Sequence, residues 1–384
     1  MLVKGFSSYE LPQGTSRVEN DMFRDCKKME RIKLPATVKY INSRSFSGCS
    51  SLTELEIPGS VKSIGDRAFQ GCKSLVSMSL PQTMQELGQD AFSGCTSLSS
   101  VELPQNIDKI DTSTFASCRS LKSIDIPAKV KSVGRGAFSD CKSLGSLTIP
   151  PSVVSIEDSA FSNCGGLTVI DIPQSVKTIG SRVFQGCNSL GSVSLPSVES
   201  VGSGTFQGCS SLTSVDVTGA IQIGEAAFRE CKGLTSLTLP SATAIGENAF
   251  RECTGLVSVS LPSATAVGDK AFFGCKALRS VEMGNSVTTI GTAAFSGCSS
   301  LTSISLPSSV MSIGDRAFEM CSSLETAVIP KDATVGNQAF PAKTKIKYHG
   351  VGFATPQKKD GDGNVSEEKK SEKKGGFNIF GIKF

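Results

Sequence analysis

Sulfur is the chemistry this chain offers in quantity: fourteen cysteines stand against a single histidine, His349. A cysteine can be a nucleophile, a zinc ligand or half of a disulfide, and each use demands its own setting. A reactive thiolate needs an accessible, electropositive site, and a general base must be positioned against a partner. His349 has no titratable partner implied near it in the sequence and reads as a surface histidine, so no catalytic residue is assigned. Structural zinc sites pair cysteines a few residues apart. Cys-x-x-Cys never occurs here, so neither a metal nor a cofactor is expected.

The spacing of the cysteines decides among the remaining uses. From Cys26 to Cys321 the step is 23 residues for seven intervals, 22 for four, then 23 for two. Each Cys has Phe three residues before it, from Phe23 to Phe318, and Leu three residues after it, with Met29 as the exception. One position copied in every unit suits a small buried residue. Stacked units would set neighbouring Cβ atoms about 4.8 Å apart, beyond the roughly 3.8 Å of a disulfide. Free, buried thiols are therefore expected.

A period of this length marks a solenoid, a stack of units none of which can bury its apolar face alone. One unit runs from Leu52 to Cys72, LTELEIPGSVKSIGDRAFQGC. Leu55 and Ile57 alternate with Glu54 and Glu56, which predicts a short half-buried strand. Pro58 ends it, lacking a ladder donor. Val61 and Ile64 anchor a return path. The recurring Gly65 predicts a backbone with positive φ, and Asp66 an N-cap for a short helical turn carrying Ala68, Phe69 and Cys72. Half-units close both ends: Val3, Phe6, Tyr9, Leu11 and Pro12 at one, Ala339, Phe340 and the strand Lys345–Tyr348 at the other. The four 22-residue steps lose a residue between strand and glycine, as in Leu239 to Gly246, and predict an altered local bend.

The run C-x-x-L-x-x-[VIL]-x-[LIV]-P-x-x-V-x-x-I-G-x-x-A-F, as in Cys49 to Phe69, resembles the BspA-like, or Treponema pallidum-type, leucine-rich repeats. The resemblance covers residues 3 to about 348. It implies an α/β repeat solenoid: an arc with a parallel β-sheet on one face and short helical turns on the other. It also implies an adhesion or protein-recognition role, often at a cell surface.

Net charge is +4, with acids and bases interspersed; Trp is absent and Tyr numbers three. That excludes a strong nucleic-acid footprint and aromatic base-stacking platforms. Met1 to Glu10 holds no apolar signal-peptide core and no segment is long enough to span a membrane. A cytoplasmic protein is expected, or a surface one if a signal peptide has been removed. Residues 1–350 read as the solenoid and 351–384 as a disordered Lys/Glu/Gly tail. In the tail, Asp360, Asp362, Gly363 and Ser366 fit inner positions of a calcium loop, but Lys358 and Lys369 occupy its two key carboxylate positions, so it reads as a linker. Its apolar end, with Phe377, Phe380 and Phe384, could dock in a groove or touch a bilayer.

The outward strand column carries Glu56, Glu102, Asp125, Asp171, Asp216 and Glu282 among Ser and Thr. These residues are the candidate protein-binding site. The chain reads as a monomeric, non-enzymatic scaffold that holds a protein ligand on this face. The alternatives are a spacer whose tail does the targeting and a surface adhesin.

Overall fold

The computed structural model describes residues 5–349. Every regular element in it is a short strand, and all paired strands are parallel, residue-in-register with the equivalent residues of the next rung. Each rung contributes two strand positions. The first is the strand whose alternation is visible in sequence, such as Ser77–Ser79 with Met78 inward. The second is the two-residue return strand, such as Ser63–Ile64. Between them Val61 N–H bonds the Pro58 carbonyl at 3.0 Å, the tight reversal that the proline permits.

The helical turns expected opposite the strands are absent: the described residues contain no α-helix. The segment Asp66–Gly71 is a chain of turns. Ala68, Gln70 and Cys72 donate three residues back, to Gly65, Arg67 and Phe69. Arg67, Phe69 and Gly71 donate instead to Gln89, Ala91 and Ser93 of the next rung. A helix is ruled out twice over. Its i→i−4 donors are diverted between rungs, and Arg67 and Gly71 sit at φ +57° and +72°. Equivalent residues repeat this, whether glycine or not, as at Asp90, Lys270, Glu230 and Met320.

Two local expectations change with it. Gly65 is not at positive φ; a Cβ there would lie 2.7 Å from Ser43 N, so the glycine is required by close backbone approach between rungs. Asp66 caps no helix. Its Oδ1 accepts the Gln89 N–H of the next rung at 3.1 Å, as Asp269 and Asp315 accept from Thr292 and Asn337.

Inward residues form one continuous core. The phenylalanines from Phe23 to Phe340 stack as one ladder, with ring centroids 5.0–5.7 Å apart and planes within 16°. Each Phe N–H from Phe23 to Phe318 bonds the next rung at 2.7–3.0 Å.

The 22-residue rungs omit one residue of the reversal. Val198 N–H bonds the Leu195 carbonyl, one residue earlier than the proline used by Val61. The hydroxyl that links 23-residue rungs there, as Ser175 Oγ to Val153 O at 2.8 Å, is lost. The strands keep register, Ser192–Ser194 on Ser214–Asp216. The return ladder breaks at the first short step, between Thr178–Ile179 and Ser200–Val201. The rings cross at 16° and 14° over the first two short steps and at 4° and 6° over the next two. The altered geometry is thus concentrated where rung length changes.

Candidate functional site

Cysteine first, because it could carry reactivity. All fourteen are buried and unbridged. From Cys49 onward each Sγ donates to the carbonyl of the Phe one rung earlier, as Cys187 to Phe161 at 3.1 Å. That same carbonyl accepts the backbone N–H of its own rung's Cys164. The sequence reading took the column as small apolar filler. The S–H donor is what it missed, and only the stacked geometry shows the acceptor. Burial pushes the Cys209 and Cys253 thiols up to about 12, the opposite of what a thiolate nucleophile requires. His349 is exposed, with Nε2 2.7 Å from the Leu306 carbonyl. No group of three or more potential metal ligands exists among the described residues.

What remains is the strand face. Outward positions alternate with the buried Leu and Ile of each strand, so a polar residue there is set by the period-two pleat. Glu56, Glu102, Asp125, Asp171 and Glu282 are exposed and Asp216 is half-buried. None forms an ion pair among the described residues. From Glu54 to Val328 the two outward columns hold no Lys or Arg; Lys122 and Arg279 stand one position before them. Four of the acids instead accept from the hydroxyl one rung earlier: Glu102 from Ser79 at 2.8 Å, Asp171 from Thr148 at 3.5 Å, Asp216 from Ser194 at 3.2 Å, Glu282 from Ser260 at 2.9 Å.

The strand ladder is not continuous. Paired groups are 8–10 with 31–33, 77–79 with 100–102, 146–148 with 169–171, 192–194 with 214–216, then two groups of three strands. Glu54 makes one isolated bridge, to Arg31, and 123–126 forms no strand. Full openings therefore follow Glu56, Glu102, Asp125, Asp171, Asp216 and Glu282, the same six acids. Glu10, whose carboxylate is held by Lys33 at 3.0 Å, is followed by a paired strand. Hydroxyl–carboxylate bonds of this column lie inside the paired groups, and none spans an opening among the described residues. Adjacent carboxylates at Glu102 and Asp125 repel, which accounts for that opening. At Asp125 the gap forms a shallow cleft of about 390 Å³ lined by Ser123, Ile124, Thr148 and Pro151. A larger one, about 700 Å³, lies between Glu10, Arg31, Lys33, Glu54 and Glu56. The sequence shows the acids; the openings beside them are a property of the stack.

Phe377, Phe380 and Phe384, with the calcium-like residues Asp360 and Asp362, lie outside the described residues, as does Val3. Phe6, matched to the buried Leu position of a full unit, is 57% exposed because no rung covers it.

The model of the BspA type leucine rich repeat region matches residues 3–122, 108–235 and 221–347, in overlapping stretches that span the solenoid. The chain belongs to this family. No curated protein sequence matches it. Among solved structures it is similar to a leucine-rich repeat protein from Bacteroides ovatus, with 26% identity, 89% of this chain and 83% of that one covered, and a TM-score of 0.57. It is also similar to a leucine rich cell surface protein from Faecalibacterium prausnitzii, with 28% identity, 84% and 88% covered, and a TM-score of 0.52. The parallel leucine-rich solenoid is thus shared with bacterial BspA-type proteins. No helix among the described residues is long and apolar enough to cross a membrane.

Proposed function

We propose that this BspA-type solenoid is a non-enzymatic scaffold that binds a basic protein segment along its strand face. The observation that carries the reading is the unpaired acidic column: six carboxylates share one outward line with no base between Glu54 and Val328. A rigid stack presents such charges at fixed spacing, so little ordering is lost on binding. Asp125, Asp171 and Asp216 recur every second rung. Two rungs at about 4.8 Å match three residues of an extended chain at about 3.3 Å each. A fluorescent peptide with Lys at every third residue is therefore the probe. Its binding to the full chain should weaken steeply with salt and exceed that of the same peptide with Lys at every second residue. Equal binding of the two peptides would remove the strand-face reading.

A further inference from the structure

The stack presents one unfinished edge beside its strand face. The last strand, Lys345–Tyr348, pairs in parallel with Thr326–Ile329. Alternate residues of a parallel strand face one neighbour. His349 N–H bonds the Ile329 carbonyl, which turns 345, 347 and 349 toward that neighbour. The N–H and C=O of Ile346 and Tyr348 therefore point to the open side. The apolar side chains at this end are covered on one side alone. Phe340, Ile346 and Tyr348 are half-buried, whereas Leu55, Ile304 and Phe318, their counterparts within the stack, are buried. An uncovered parallel edge over an apolar end is an acceptor for another strand.

The same chain carries a segment with the matching pattern. Ile379-x-x-Ile382-x-Phe384 repeats the inward positions of a rung strand, Leu52-x-x-Leu55-x-Ile57, and Ile382-Lys383-Phe384 repeats Ile346-Lys347-Tyr348. The 30 residues from His349 to Ile379 exceed the 22 or 23 that carry the chain once round a rung. We propose that segment 379–384 is the occupant of this edge, added in parallel beside Lys345–Tyr348 with Ile382 and Phe384 over Ile346 and Tyr348. Lys383 then falls in the outward column next to Lys347. That like-charge contact weakens docking at low salt and is screened as salt rises.

The test is hydrogen exchange on the full chain, read at the amides of Ile346 and Tyr348, with Phe161 N–H as an internal reference. Wild type should protect the two amides about tenfold more than an Ile382→Asp/Phe384→Asp variant, and protection should rise with salt. A control, Val365→Asp, should behave as wild type. Equal exchange in wild type and the double variant overturns the proposal. Protection that grows with protein concentration assigns the edge to a second copy and overturns the intramolecular occupant.

Discussion

The turn side and the strand side of each rung are made by the same repeat, yet one is sealed and the other is open. On the turn side every Phe N–H from Phe23 to Phe318 reaches the next rung, rings stack without interruption, and thiols close on the Phe carbonyls. On the strand side the ladder parts after each unpaired acid. The continuous side carries the cohesion of the stack. The strand side has backbone groups and charges left over for something else. Breaking the two sides separately is the way to test that division.

The largest effect should come from alkali, which acts on the sealed side alone. The Cys49, Cys209 and Cys253 thiols are raised to about 12 in the fold, against about 8.5 unfolded. Below the unfolded value both states are protonated and stability is flat. Above it the unfolded chain loses protons that the folded chain keeps, so stability falls until the folded value is passed. Each such thiol contributes a slope of about 1.4 kcal/mol per pH unit in that window. Urea midpoints should hold from pH 7 to 8 and drop steeply from 9 to 10. Cys209→Ala should reduce the slope by one thiol's share. A midpoint unchanged between pH 8 and 10 would refute buried thiols.

Phe161→Ala removes a fully buried ring with a stacked neighbour on each side. It should cost about 3–5 kcal/mol through lost transfer and a cavity. Thr148→Ala, across the rung on the open side, should cost under about 1 kcal/mol because its hydroxyl makes one exposed bond. Comparable melting shifts would show that the two sides share the load.

Core and rung were legible in the sequence because side-chain periodicity reports burial directly. Phe, Cys and Leu fell where the spacing placed them, and so did the outward acids. Backbone traffic was not legible. Asp66 followed by Ala68 and Phe69 carries helix-start signals, but whether Arg67 N–H bonds within its rung or across to Gln89 depends on a neighbour 22 residues away. The same holds for Gly65, where the reason for glycine is the Ser43 backbone and not its own φ. Gly246→Ala separates these explanations. A Cβ would lie 2.7 Å from the Gly224 carbonyl carbon, and overpacking of this kind costs about 1–3 kcal/mol. A stabilised variant, the outcome of simple entropy loss in the unfolded chain, would reject close approach.

The smallest effect on stability should come from charge reversal on the open side, and there binding and stability should part company. Asp125 and Asp171 are exposed and unpaired, and Asp125 faces Glu102 one rung away. Asp125→Lys/Asp171→Lys relieves that repulsion, so stability should stay within about 0.5 kcal/mol of wild type. Association with the every-third-Lys peptide should slow about tenfold at low salt, because unpaired surface charges act mainly on encounter. Asp66 and Asp315 are also exposed acids, but their Oδ1 atoms hold backbone N–H groups of the next rung. Reversing that pair should cost about 0.5–1.5 kcal/mol per lost bond and leave the on-rate unchanged. The two double variants thus exchange roles, one losing partner and keeping fold, the other losing fold energy and keeping partner. If the Asp66/Asp315 variant is the one that loses the peptide, recognition lies on the turn side and the division between the two sides is the reverse of the one drawn here.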